Sequence, residues 1–303
     1  MPDVVVPVPD GTFEVIPSNP PELDLMQLKP ADVKAKSVPW KDVELVLPID
    51  IMLLTANDCE FYSCLQYCLN PGYFESYDRA VGSVYFGKMG EGETKLKIAV
   101  IQCNVGSTGP SGSAVVVPDA VRMLRPKAVF CVGYCGGLNK EKVKLGDVVI
   151  SAKLATYAPI KVNEDGVIER GVRVPSSTKL AKLTICADYG WKAPLKDRSE
   201  LEVKVHKNAL LLSGPEEVNS EERRDKLIKR YPDAIAIEME GEGLYAAAHK
   251  LNVEWVVVKG VSDFAAKKSS TADWKPFASA MAASITAHIL SEPSVFQKWP
   301  HCA

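Results

Sequence analysis

The sequence predicts a single α/β domain in which a central mixed β-sheet is flanked by helices. From Leu45 onward, apolar runs of strand length alternate with helical patterns, which is the signature of a sheet covered by helices. Several of these runs, such as residues 51–54 and 256–258, are apolar at successive positions, as expected of strands buried on both faces. No repeat, low-complexity tract or compositional break divides residues 45 to 295, so one large domain is the simpler expectation.

Ahead of that domain, nine of the 21 prolines fall within the first 48 residues. Proline removes backbone donors, so a long helix is excluded there, and residues 1–44 are expected to form an extended, surface-hugging extension. Strands are expected at Ile49–Thr55, Gly82–Met89, Lys97–Cys103, Ala128–Val132, Asp147–Ser151, Leu210–Ser213, Ala234–Ile237 and Trp255–Gly260. Helices are expected at Cys59–Leu69 behind an Asp58 cap, and at Ser113–Leu124, Lys179–Gly190, Ser220–Arg230 and Met239–Leu251. In the last helix Phe277, Met281, Ile285 and Ile289 recur every four residues behind Asp273, giving one apolar stripe to pack on the sheet. Residues 296–303 form a short tail.

Composition narrows the function classes. Across 303 residues the formal net charge is −2, too small to draw in nucleic acid or an anionic membrane. With 47% hydrophobic and 24% charged residues, the chain has the balance of a globular protein. No apolar run reaches the length of a membrane span, and residues 1–10 lack the basic and apolar regions of a signal peptide. The eight cysteines sit mostly inside apolar segments, without a C-x2-C pair or a histidine at zinc spacing. Reduced thiols in a cytosolic protein, with no metal site and no cofactor, are expected.

The chain has no G-x4-G-K-[ST] loop, no G-x-S-x-G elbow and no G-x-G-x-x-G after a strand. It has glycines and acids just past the ends of apolar strands, the edge where α/β sheets bind ligands. The run Ala128-Val-Phe-Cys-Val-Gly-Tyr-Cys-Gly-Gly-Leu138 reads as a buried strand and a glycine turn, followed by a second strand entered through Gly146-Asp147. Two further strands end in acids, at Glu238-Met-Glu-Gly-Glu-Gly243 and at Lys259-Gly-Val-Ser-Asp263.

These motifs, in this order over residues 48 to 292, resemble the nucleoside phosphorylase and nucleosidase superfamily, and within it the 5′-methylthioadenosine/S-adenosylhomocysteine nucleosidases and the nucleosidase-like modules of immune proteins. The resemblance implies cleavage of a ribosyl C–N bond. That reaction builds positive charge on the sugar and negative charge on the leaving purine, so carboxylates belong near the ring and an acid near the base. Asp263 matches the acid that protonates the purine, a job for which burial raises the pKa. Glu240 matches the acceptor of the ribose 2′ and 3′ hydroxyls, Met239 packs under the sugar, and Glu238 is second-rank or structural. Glu60 matches the residue that orients water. Asp58 competes for that role, and Glu60 is preferred on the argument that Asp58 is committed as a helix cap.

Ser107 and Thr108, in a loop of glycines and hydroxyls, are expected to hold an anion or the nucleophile. Gly136 and Ser262 complete the expected substrate contacts. Where relatives stack an aromatic ring on the purine, this chain has Glu217 and Val218. Phosphorolytic members carry an arginine near the first strand, whereas no arginine occurs before Arg79, which favours hydrolysis over phosphorolysis. A catalytically silent binding module is the remaining alternative. The 5′ substituent stays open between methylthio, hydroxyl, homocysteinyl and triphosphate, with Arg223, Arg224, Lys267 and Lys268 as candidate phosphate contacts. The resemblance also implies a homo-oligomer.

Overall fold

The computed structural model describes the chain apart from residues 1–3, 8–12, 17–18, 70–71, 91–94, 165, 267–271 and 303. It opens with an antiparallel pair, β1 (Val4–Pro7) and β2 (Phe13–Ile16), then β3 (Lys36–Ser37) and a helical turn, α1 (Trp40–Val43). The body begins with β4 (Ile51–Thr55), α2 (Asp58–Cys68), β5 (Phe74–Asp78), β6 (Gly82–Met89) and β7 (Leu96–Gln102). It continues through α3 (Ser113–Leu124), β8 (Ala128–Gly137) and β9 (Val148–Thr156) to a small hairpin, β10 (Ile160–Asn163) with β11 (Gly166–Glu169). After β12 (Arg173–Pro175) come α4 (Thr178–Thr184), β13 (Val205–Ser213), α5 (Glu221–Arg230) and β14 (Ala234–Glu238). The chain closes with α6 (Gly241–Leu251), β15 (Glu254–Asp263) and α7 (Trp274–Leu290).

Apart from the β1-β2 and β10-β11 pairs, the strands form one 11-stranded mixed sheet, in the order β12-β9-β13-β14-β8-β4-β7-β6-β5-β3, with β15 pairing both β8 and β9. β8 is the seam. Its first nine residues run parallel to β15, from Glu254 opposite Ala128 to Asp263 opposite Gly136, while Gly136 and Gly137 also pair antiparallel with Ile237 and Ala236 of β14. The strands β8, β15, β9, β13 and β14 therefore close into a ring, and β4, β7, β6 and β5 extend from it as an open sheet. Every residue of β4 is buried, as are eight of the ten in β15. Helix α7 packs on α2 and β15 and is buried nearly all round.

Three differences from the sequence reading have physical reasons. Gly133, Gly136 and Gly137 do not turn the chain; they lie inside β8. Their missing side chains make room for neighbours, since a Cβ on Gly133 would collide with the Glu60 carboxylate and one on Gly137 would come within 3.0 Å of Phe264 and Val143. The true turn is at Gly146, where φ is +85° and a Cβ would press on Phe277. Helix α4 stops at Thr184 instead of Gly190, because i→i+3 bonds from Cys186 and Ala187 to Leu183 and Thr184 tighten the chain beyond it.

The proline-rich extension lies along the body. Leu28 N donates to Gln66 Oε1 on α2 at 3.2 Å, and Asp24 N donates to Pro194 O at 3.0 Å. β3 joins the sheet edge beside β5, where Trp40, Phe74 and Phe86 form an aromatic cluster. Among the described residues, no helix is long and apolar enough to cross a membrane.

Candidate active site

The site lies where β4, β7, β8 and β15 end and where α6 begins. Glu60 is 1% exposed and sits in the first turn of α2. Its Oε2 accepts from Ala56 N at 2.7 Å and Asn57 N at 3.0 Å, and its Oε1 accepts from Tyr134 N at 2.9 Å. The cap assignment made from sequence is thus reversed. Asn57 precedes the helix, Asp58 is already helical and accepts from Gln102 Nε2, and Glu60 is the residue that bonds back to the cap backbone. Glu60 nonetheless keeps Oε1 turned inward, because glycine at 133 lets the carboxylate lie against β8.

Sequence reasoning missed the residue that faces Glu60. Lys259, in the middle of β15, has no exposed surface, and its Nζ lies 3.0 Å from Glu240 Oε2 and 3.5 Å from Glu60 Oε1. Burial opposes a charge there, but the surroundings of Cys131, Glu240, Glu60 and Glu238 outweigh it and hold the ammonium well above its ordinary pKa. The glutamates carry this effect, because burial pushes the Cys131 thiol itself well up and leaves it neutral. The signal was in the sequence: a lysine in a strand otherwise apolar on both faces must be paired, since lysine is almost never fully buried alone.

Glu240 stands just ahead of α6, with Oε1 accepting from Gly106 N at 3.0 Å. Its carbonyl accepts from Ser113 Oγ at 2.6 Å, tying α6 to the start of α3. Glu238 spends its two oxygens on the amides of Glu240 and Gly241, at 2.9 to 3.0 Å. Burial, and next the charge of Glu240, push its carboxyl up to about 7. It therefore caps the start of α6. Cys131, Glu238 and Glu240 have ligand atoms within 4.8 Å of one another. Glu240 Oε2 of this group is paired with Lys259, and both oxygens of Glu238 are bonded to backbone amides.

Asp263 ends β15 and is half-buried. Its Oδ2 accepts from Ser262 Oγ at 2.9 Å and its Oδ1 from Ala265 N at 2.9 Å. Helix α7 starts only at Trp274, so Asp263 is not its cap. Gly136 is the close-approach position opposite it, where a Cβ would come within 3.1 Å of Asp263 Oδ1.

In the loop after β7, Ser107 is 1% exposed and its Oγ has no partner among the described residues, whereas Thr108 points to solvent. Met239 is half-buried, with its methyl beside Gly106. Val218 packs inward in a small core with Tyr157, Ile237 and Ala265, while Glu217 is exposed and accepts from Asn219 Nδ2. The expected pairs thus divide: Ser107 and Val218 face inward, Thr108 and Glu217 do not. Arg223 makes a two-point ion pair with Glu216, and Arg224 pairs with Asp225 and reaches Phe264 O. Lys267 and Lys268 lie outside the described residues.

A closed ring of strands carrying buried acids around one lysine, fused to an open sheet, defines the class of α/β protein to which the chain is compared. The chain belongs to the phosphorylase superfamily, whose profile matches residues 51–291. A death domain-containing ATP nucleosidase from Amphimedon queenslandica is 32% identical over 267 residues, 80% of this chain. The chain spans about half of that relative, 49% of its length. A 5′-methylthioadenosine/S-adenosylhomocysteine nucleosidase from Staphylococcus aureus is 27% identical over 173 residues, covering 56% of this chain and 69% of the relative. The fold is shared with the Neisseria meningitidis 5′-methylthioadenosine/S-adenosylhomocysteine nucleosidase bound to methylthio-immucillin-A (TM-score 0.64, 23% identity, 81% of this chain and 99% of that one). It is shared as well with the futalosine hydrolase of Helicobacter pylori (TM-score 0.62, 19% identity, 80% and 97%).

Proposed function

We propose that the chain hydrolyses the N-glycosidic bond of purine nucleosides or nucleotides, releasing the free base. The observation that carries this reading is the buried Glu60–Lys259–Glu240 cluster, whose lysine lies on β15, four residues before Asp263. Glu240 accepts the ribose hydroxyls, and Met239 lies under the sugar. Water attacks C1′ as the bond from C1′ to the base nitrogen breaks, and that bond's electron pair leaves with the purine. Asp263 gives its proton to the base, and a proton of the water passes toward Glu60. Glu60 Oε2 is filled by two short amide bonds, whereas Oε1 takes one amide, from Tyr134 at 2.9 Å, and a long contact with Lys259 at 3.5 Å, so Oε1 is the oxygen with capacity for that water. The unpartnered Ser107 Oγ is a second anchor for water or a ribose hydroxyl.

The nucleosidase relatives support hydrolysis, and the name of the Amphimedon queenslandica relative supports a nucleotide substrate. Free cysteines throughout fit a cytosolic location, and the family resemblance favours a homo-oligomer. The test is to incubate the protein with a purine nucleoside and nucleotide panel, with and without phosphate, and to measure released base by chromatography. Base release in phosphate-free buffer is expected. Strict dependence on phosphate, with ribose 1-phosphate as product, would establish phosphorolysis, and no release from any substrate would establish a silent binding module.

A further inference from the structure

The charge pattern around the site bears on the substrate's 5′ substituent. Glu60, Glu240 and, more remotely, Glu238 act on one buried cation, Lys259, and a further acid, Asp263, ends the same strand. An anionic substrate entering such a site is repelled unless a cation meets its charge at the rim. Arg223 and Arg224 are already paired with Glu216 and Asp225. Two rim lysines have no carboxylate partner among the described residues, and each hovers over an aromatic ring.

The two mark opposite ends of the site. Lys140 Nζ lies 5.2 Å from the ring centre of Phe264, the residue after Asp263, and so stands at the end where the base is protonated. Lys275 Nζ lies 5.1 Å from the ring centre of Tyr134, whose amide donates to Glu60. It stands at the water end. Its backbone is fixed there: Lys275 O accepts from Ser279 Oγ at 2.8 Å, and that hydroxyl touches Cys59 Sγ, next to Glu60, at 3.5 Å. A base held at Asp263 occupies the Lys140 end, which leaves the Lys275 end for a substituent on C5′.

Building on the hydrolase reading, we infer that the preferred substrate is a nucleoside 5′-phosphate and that Lys275 selects it, its ammonium meeting the phosphate on C5′. The ring of Tyr134 holds the lysine stem over the site without neutralising it, so the cation is available to an incoming anion. The experiment compares kcat/KM for adenosine, 5′-methylthioadenosine, AMP and ATP in the parent and in Lys275→Met, which keeps the stem and removes the charge. The parent is expected to prefer AMP and ATP. The nucleotide-to-nucleoside ratio is expected to fall about 10- to 100-fold in Lys275→Met, the worth of one charge-assisted contact, and to shrink with added salt in the parent.

A parent that prefers the uncharged substrates overturns the inference, as does a variant that lowers all four equally. Lys140→Met is the comparison variant, and a larger change in the ratio there than in Lys275→Met overturns the assigned orientation. If inorganic phosphate accelerates adenosine cleavage and Lys275→Met removes that acceleration, the lysine serves free phosphate and the inference fails. Should no substrate release base, the hydrolase reading fails by itself. Titration calorimetry with ADP and adenosine then decides the lysine's role, and equal affinities in the parent overturn it.

Discussion

Replacing Lys259 by methionine keeps most of the side-chain volume and removes the charge that, among the described residues, is paired with Glu60 and Glu240. At an effective dielectric of ~20, unit charges 3.0 Å apart attract by about 5 kcal/mol. Desolvation of the ammonium and carboxylates offsets much of that in the intact cluster. Deleting one partner leaves the desolvation without the attraction, which typically costs ~3–5 kcal/mol. The variant has an escape: its carboxylates take up protons. The parent's ammonium keeps its charge across the neutral range, so the variant's deficit should grow as the pH rises above the ordinary glutamate range, where proton uptake becomes costly. Equilibrium urea unfolding at pH 5.5 and pH 7.5 measures this. The expected result is a loss of about 3 kcal/mol or more at pH 7.5, smaller at pH 5.5, with base release lost at both. Lys259→Arg should recover part of the stability. If Lys259→Met is within about 1 kcal/mol of the parent at both pH values, well short of what breaking a buried ion pair ordinarily costs, the cluster is not the electrostatic unit described above.

Asp263→Asn keeps an acceptor for Ala265 N and cannot deliver a proton, so purine release should fall ~10²–10⁴-fold with little change in the melting curve. Single-turnover kinetics beside a thermal melt would check this, and parallel loss of stability and rate would make Asp263 structural. Glu238, pushed up to about 7 by burial and then by Glu240, binds its proton more tightly in the folded chain than in the unfolded one. That contribution is complete below the ordinary glutamate pKa and is lost as the pH rises through about 7. Subtracting the melting temperatures of Glu238→Gln from those of the parent between pH 4.5 and pH 8 should give a difference that declines across that window, and a flat difference would contradict the assignment.

The ordered α/β pattern was legible because β4, β8 and β15 are apolar on both faces and because α3, α5 and α7 begin and end at recognisable residues. The strand β5, Phe-Glu-Ser-Tyr-Asp, next to the short edge strand β3, was missed, since a half-exposed strand alternates weakly and carries turn residues. Glu60, Glu240 and Asp263 were legible as strand-end acids. Which residue of a neighbouring pair faces inward was not, at Ser107 against Thr108 or at Val218 against Glu217, because loops have no period from which to read a face. The capping argument that favoured Glu60 over Asp58 is reversed in the structure. Capping is set by one residue of helix phase, and Asn57 took the position expected for Asp58. Glycines also misled: in β8 they admit Glu60 and Phe264, a close approach that only the assembled neighbours reveal.

The pairing of Lys259 with Gly133 of β8 on one side and Val149 of β9 on the other has a consequence for how the chain finds its fold. β15 is rich in valine, and many alignments between two apolar neighbours bury nearly the same area. A slip by one residue turns Lys259 to the opposite face of the sheet. It would then face hydrocarbon without a partner, and two glutamates would be left buried and unbalanced. The contact joins residues 199 positions apart in the chain, so it forms only when distant segments have met, and it rejects the misaligned ring at that step. The charges that equip the site for chemistry also act as the key that lets β15 seat in one alignment alone.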